Sequence, residues 1–484
     1  MTTTYDPTTI VSSLAAFGEL PDWLSAGMDP RRVREGLERE VPELLDGRFR
    51  LLACTTDQLR AKGDEWHARY TLSVAEPGGE PREVVLVGNL WPPGREPSDP
   101  TDVSVGVAEF GEAGWRCALA DPRLDLRLQT VDDALPALPR LADPAEAARL
   151  LEPVLRTAGY TDAEITSCDP AVVRYKPASR CTVVVGLTYA DGAAPPVPPD
   201  RVVLKTHHGE KGEAAWDAMV ALWQHQAPWS HAVRLAEPLA YLADERILVQ
   251  GPVPGDMLLK DLARVAIADG DVGQHGRFRA ELAATAKGIA AVHTSGVRYG
   301  PTDTIEDELD KVREVVDRLA ASAPELAEAA QPLVGCLAGL ARETDPDPVV
   351  PCHHDFRPAQ VLLDGEGVSF VDFDGACMGE PALDLGRFRA KLRDTGISAF
   401  GPDAPRGVEG IERNLDLLDH LCEAFLTDYQ QHAPVSRERV LLWETCDLLT
   451  SLLHAWTKVL LPRVEVRLAL LVHQLQTGGL LDAG

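Results

Sequence analysis

CHHDFRPAQVLLDGEGVSFVDFDGACMGEPALDLGRF, residues 352–388, carries two histidines and five aspartates around two short apolar runs. VLL (361–363) and VSFV (368–371) are separated by DGEG, a polar turn with two glycines, so they read as a tight hairpin. Asp355 then stands just before the first strand and Asp372 at the end of the second. A hairpin of that length brings the two carboxylates together at its mouth. Such a pair suits phosphoryl transfer, where one carboxylate accepts the proton of an attacking hydroxyl and the other holds the metal that neutralises phosphate oxygens.

The rest of the chain sets the frame for that site. With 484 residues, 45% hydrophobic and 25% charged, the chain is a globular protein long enough for two to four domains of roughly 100–200 residues each. No apolar run approaches the ~18 residues that cross a bilayer, and MTTTYDPTTIVSSLAAFGEL has no basic region ahead of its apolar residues, so a membrane role is not expected and the cytoplasm is. The nine cysteines are scattered with no CxxC pair, which argues for reduced thiols over a disulfide framework or a zinc site. A net charge of −28 disfavours a nucleic-acid partner and suits a cationic small molecule, although it also describes an ordinary acidic surface.

Residues 30–45 read as an amphipathic helix, followed by strand-like alternation from Phe49 to Trp91. A helix from Ala142 to Gly159 comes next, and the strand pattern returns from Val172 to His208. The two strand regions resemble each other at a spacing of about 112 to 118 residues. LRAK (59–62) answers VRYK (173–176), the runs around Tyr70 and Leu72 answer those around Val185 and Leu187, and EVVLVGN (83–89) answers RVVLKTH (201–207). A duplicated β-rich module is one reading, with Val87 in the first copy where the second has Lys205; chance likeness of two Val-rich hairpins is the other. From residue 209 helices dominate, with apolar stripes at 209–226, 276–294, 305–343, 409–431 and 436–476.

HHDFRPAQ followed by DFD, with Asp372 twelve residues after Gln360, resembles the HxDxxxxN and DFG/DFE elements of kinase-like phosphotransferases, closest to the aminoglycoside phosphotransferase and choline kinase family. The resemblance is strong over 350–390 and extends weakly over 165–476. It implies an α+β, bilobal protein-kinase-like fold. Residues 1–140 would form an additional α+β cap, read as a degenerate copy of the small lobe; 141–250 the β-rich small lobe; and 251–484 the helical lobe. It assigns Asp355 as catalytic base, His353 as an orienting residue of the catalytic loop, and Asp372 as the main magnesium ligand. Gln360 stands where the family has a metal-binding asparagine. Glutamine offers the same amide oxygen on a longer stem, and at this place it is similar to maltokinase-like sugar kinases.

The same resemblance calls for a lysine on a strand ahead of the first long helix, to fix the α and β phosphates of ATP. RVVLKTHH supplies Lys205. Glu213 is the carboxylate expected to pair with it, three residues before Trp216 on the stripe that continues to Met219 and Trp223, with Glu210 as the competing candidate. KPASRCT replaces a glycine-rich loop, leaving Ser179, and beside it Lys176 and Arg180, as phosphate donors. Backbone groups of Gln250, Gly251 and Val253 would hold the purine, and His293 would pack beneath the catalytic loop. EPALDLGRF places Asp384 where the family has an aspartate closing the motif; Glu380 and Asp384 are also candidates to meet an acceptor, with turn capping as the other reading of Glu380.

The function this implies is ATP- and magnesium-dependent transfer of the γ-phosphate to a hydroxyl of a small polar molecule, a sugar, amino sugar or aminoglycoside. A kinase acting on Ser or Thr of a peptide, and an inactive pseudokinase scaffold, are the alternatives. Oligomeric state is not legible.

Overall fold

The computed structural model describes residues 7–478 apart from 64, 96–109, 111–114, 130–134, 177–178, 191–195, 208, 210, 270–271 and 400–407. The chain divides into two compact units, one of residues 1–131, 309–339 and 448–484, the other of 132–308 and 340–447. Its strands are β1 (Arg50–Lys62), β2 (Glu65–Ala75), β3 (Arg82–Leu90), β4 (Arg116–Leu119) and β5 (Leu124–Leu128) in the first unit. The second holds β6 (Ile165–Lys176), β7 (Arg180–Tyr189), β8 (Arg201–His207), β9 (Arg234–Leu235), β10 (Pro238–Leu242), β11 (Ile247–Gln250), β12 (Met257–Leu258), β13 (Val350–Cys352), β14 (Val361–Leu363), β15 (Val368–Phe370) and β16 (Cys377–Gly379).

In the first unit the sheet order is β1-β2-β3-β5-β4, antiparallel throughout. The helix Pro30–Glu40 precedes it, with Asp29 as N-cap accepting from the Arg31 amide and Pro30 in the first turn, where a missing N–H costs nothing. Leu59, Trp66, Ala68, Tyr70 and Leu72 fill the buried face. Trp66 stacks edge-on against both Trp23 (5.4 Å) and Trp456 (5.8 Å), and the Ala61 N–H donates to Thr457 O at 2.8 Å.

The second unit has a sheet of the same order, β6-β7-β8-β11-β10, again antiparallel at every junction. A helix entered through Asp143-Pro144 precedes this sheet as well. Pairing of the strands shifts the expected correspondence: Val84 faces Leu72 and Val202 faces Val185, so Leu72 answers Val185, two residues from the sequence alignment and still on the same face. The helix Lys211–His225 packs on β8, β10 and β11 through Ala215, Ala218, Met219 and Leu222. Beyond it lie the small sheet β12-β14-β15-β9, the pair β13-β16, and helices that include Val272–His293, Pro381–Ala399 and Val408–Gln430.

The architecture is α+β. Two expected long helices are each broken. Residues 305–343 form Ile305–Ala320 and Pro324–Glu343, and 436–476 form Arg437–Trp456 and Leu461–Thr477. Pro324 and Pro462 stand in the first turns of the second halves, where proline begins a helix instead of continuing one. No helix of the described residues is long and apolar enough to cross a membrane.

Candidate active site

β14 and β15 form the expected hairpin, Val361 opposite Phe370, with Gly365 at φ 83° in the turn, a conformation glycine adopts without penalty. The Gln360 side-chain amide lies between the two carboxylates. Its Nε2 donates to Asp372 Oδ2 at 2.9 Å and to Asp355 Oδ2 at 3.3 Å. Asp355 is also 3.0 Å from the Arg357 guanidinium and remains partly open to solvent. Asp372 has φ 73°, a left-handed backbone that aspartate tolerates better than most residues.

The loop holding Asp355 is anchored from below. Asp384, fully buried at the start of Pro381–Ala399, accepts from the amides of His353 (2.7 Å) and His354 (2.8 Å) and from His293 Nε2 (3.1 Å). Burial alone would raise the Asp384 carboxyl, but the hydrogen bond and charge of His293, with His353 beside it, hold it below its ordinary value. His293 reaches Tyr429 with its other nitrogen, at 2.9 Å, so this histidine packs under the loop. His353 is buried, with Nε2 2.9 Å from Val371 O, tying the loop to the strand that delivers Asp372. A column of rings, Phe370, Phe356, Phe388 and Phe425, runs beneath, with centroid separations of 5.0, 5.0 and 4.2 Å.

Opposite the hairpin, sheet register gathers three bases. Lys205 and His207 are two apart on β8 and share a face, and Arg180 is the cross-strand partner of His207 on β7. Lys205 Nζ lies 2.8 Å from Asp372 Oδ1 and 3.0 Å from Asp374 Oδ1. Asp374 Oδ2 takes His207 Nε2 at 2.8 Å and Arg180 Nη1 at 3.1 Å. Burial works against charge on both partners. Even so, Asp374 and Asp372 hold the Lys205 ammonium above its usual range, and Lys205 and His207 hold the Asp374 carboxyl well below its own.

The expected Lys205–Glu213 pair is therefore corrected. Glu213 is exposed in the first turn of Lys211–His225. The inward face of that helix runs through Gly212, Ala215 and Met219, and Glu213 stands about 100° round from Gly212. Gly212 fits closely on Tyr241, where a Cβ would meet Cε2 at 2.8 Å. Glu210 lies outside the described residues. Two acceptor candidates are corrected too. Glu380 is buried against Arg439, with Nε to Oε2 at 2.7 Å, and Asp384 anchors the loop as above.

Sequence reasoning missed Asp374 and His207, which only strand register reveals, and the clamp on His354. The His354 imidazole Nε2 lies 2.9 Å from Asp303 and 3.3 Å from Glu308. Burial disfavours its charged form, but these hydrogen bonds raise it above the ordinary imidazole value. Ser179 closes the β6–β7 turn, its N–H donating to Lys176 O at 3.1 Å, and the contact to the carboxylates comes from Arg180 instead. At the end of β11, Gln250 is buried and the Gly251 N–H is spent on Glu237 O at 2.8 Å. The Gly251 carbonyl and the Val253 N–H enter no backbone hydrogen bond among the described residues. A small cleft lined by Met219, Leu222, Gln250, Phe370, Asp372 and Phe373 among others runs from this strand end to Asp372.

Two carboxylates bridged by an amide and faced by a buried lysine thus stand together at one end of the cleft. The chain belongs to the phosphotransferase enzyme family, whose model matches residues 191–434. Among solved structures, it is similar to a choline/ethanolamine kinase family protein from Mesorhizobium loti, with 15% identity, a TM-score of 0.46 and coverage of 70% of this chain and 98% of that one. A glucosamine kinase shares 17% identity at a TM-score of 0.46, covering 94% and 100%. An aminoglycoside phosphotransferase shares 13% at 0.42, covering 68% and 99%. No curated protein sequence matches the chain.

Proposed function

We propose that this enzyme transfers the terminal phosphoryl group of ATP, with magnesium, to a hydroxyl of a small polar molecule of the sugar, amino sugar or aminoglycoside class. The observation that carries this reading is the Gln360 bridge between Asp355 and Asp372 beside Lys205. Asp372, Asp374 and the amide oxygen of Gln360 are the hard oxygen donors that suit magnesium, and the ion would supply charge neutralisation on the phosphate oxygens. Gln360 faces both carboxylates with its NH2, so a half-turn of the amide presents the oxygen instead.

The chain's own residues do the rest. The Gly251 carbonyl and Val253 N–H, two residues apart, offer the acceptor and donor that an adenine edge requires. Lys205 and Arg180 steady the non-transferred phosphates in place of a glycine-rich loop, and Ser179 at the same turn offers its hydroxyl. Asp355, held by His353, accepts the acceptor's proton as the new O–P bond forms and the bond to the departing ADP oxygen breaks.

The test is ADP release with magnesium and ATP across amino sugars, aminoglycosides, maltose and choline. One acceptor should turn over, and Asp355→Ala should lower its kcat by at least about a hundredfold. Full activity in that variant would refute the assignment.

A further inference from the structure

The first unit carries a concentration of positive charge at odds with a chain of net charge −28. Arg60 and Lys62 alternate on one face of β1, and His67 stands directly opposite Arg60 on β2. The Ala61 N–H bond to Thr457 O seats the turn after Arg437–Trp456 against this strand end, which brings Lys458 beside Arg60. Arg463 and Arg467 follow, one helical turn apart on Leu461–Thr477, with Arg467 Nη1 donating to Ser451 O at 2.8 Å.

The buried basic side chains Lys205, Arg389, Arg393 and Arg439 are each matched with a carboxylate. Here the pattern fails. Among the described residues, Arg60, Lys458 and Arg463 have no ion pair and no side-chain hydrogen bond, and the Arg60 Nε is buried without a partner. Among the described residues, two acids in the vicinity are otherwise placed. Glu65 lies 3.3 Å from His67 and accepts from Asn89, and Glu465 is exposed on the following helix. Burial lowers the Lys458 ammonium below its usual value, and Arg60, Arg467 and Arg463 push it in the same direction. A buried guanidinium nitrogen and a half-buried ammonium among like charges are costly unless an anion completes the set.

The backbone adds to the same field. Leu461–Thr477 begins without a side-chain cap and without an acid in its first turn, so its positive end is uncompensated. Val459, a β-branched residue, is held at φ 53° between Lys458 and that helix start.

We propose that Arg60 at the end of β1 and the 457–463 turn form a second ligand site, distinct in its residues from the catalytic cluster, that binds a phosphate-class oxyanion. Arg60 supplies a forked donor for two oxygens, and Lys458 and Arg463 supply point charges. The phosphate is either free orthophosphate or the phosphoryl group of a sugar phosphate.

The test uses the full chain with inorganic phosphate and with a hexose 6-phosphate, against sodium chloride of equal ionic strength, by calorimetric titration and thermal melting. Wild type should bind and melt higher with phosphate. Arg60→Gln and Lys458→Gln should each weaken binding at least tenfold, while Lys205→Met, which removes a cation of the catalytic cluster, leaves it intact. Lys458→Gln should also melt higher than wild type without phosphate, because it removes like-charge repulsion, so loss of binding there is not loss of folding. Equal affinity for both ligands identifies orthophosphate as the source, and preference for the ester identifies a sugar phosphate. Binding that survives Arg60→Gln and vanishes in Lys205→Met overturns the site, as does the absence of any shift beyond that of chloride. A Lys458→Gln protein that melts lower in phosphate-free buffer overturns it as well.

Discussion

Asp447 offers the sharpest test of how the helical part of the second unit is held. Its carboxylate is buried and takes Arg387 Nε at 2.8 Å and Lys391 Nζ at 2.7 Å, one turn apart on Pro381–Ala399, the helix that carries Asp384. Burial favours the neutral acid, but Lys391 and Arg387 together pull the carboxyl down to about 2, from an ordinary 3.8. A group depressed in the folded state stabilises above its unfolded value and loses that contribution as pH falls through the folded one. Linkage puts the loss at about 1 kcal/mol by pH 3 and about 2 kcal/mol by pH 2. Asp447→Asn strands two buried cations and should cost about 3 to 5 kcal/mol at neutral pH. The gap between wild type and variant, measured by urea unfolding at a series of pH values, should therefore narrow by about 1 kcal/mol between pH 7 and pH 3. A gap that stays constant or widens toward acid would refute the assignment of this carboxylate as the charged hub of the two helices.

The position of Lys205 separates two other carboxylates. Glu213→Ala should leave the KM for ATP within about twofold, whereas Asp374→Asn should raise it about tenfold or more, as steady-state kinetics will read. Gly386→Ala places a Cβ 2.6 Å from the Glu444 amide nitrogen and 2.9 Å from the Trp443 carbonyl carbon. Since backbone cannot yield there, the variant should lose about 1 to 3 kcal/mol in urea unfolding. Phe388→Ala opens the middle of the ring column and should cost about 3 to 5 kcal/mol, with a matching fall in melting temperature.

Legibility in the sequence followed distance along the chain. Asp355, Gln360 and Asp372 were readable because a short hairpin fixes their relation within a few residues, and Lys205 because it interrupts an apolar strand ahead of a helix. Its partner was not readable. Asp374 reaches Lys205 through the meeting of β8 with a loop well over a hundred residues away, while Glu213 looked right because its helix stripe hides that Gly212 takes the contact position. Pro324 and Pro462 announced helix starts in plain view, but continuous apolar periodicity on both sides masked them. Glu380 read as a substrate contact because its cation, Arg439, is distant in sequence and buried with it.

The grouping of Lys205, Arg180 and His207 around Asp372 and Asp374 leaves the candidate site close to neutral in a chain of net charge −28. A nucleotide must then cross an unfavourable outer field before it meets any favourable charge, since the pocket's own cations are cancelled locally by their carboxylates. Screening acts over about 10 Å at 0.1 M salt, so it removes the outer opposition and leaves the inner contacts nearly untouched. ATP association should consequently speed up with added salt, the reverse of an enzyme that draws its substrate in by long-range attraction, and stopped-flow binding would register it.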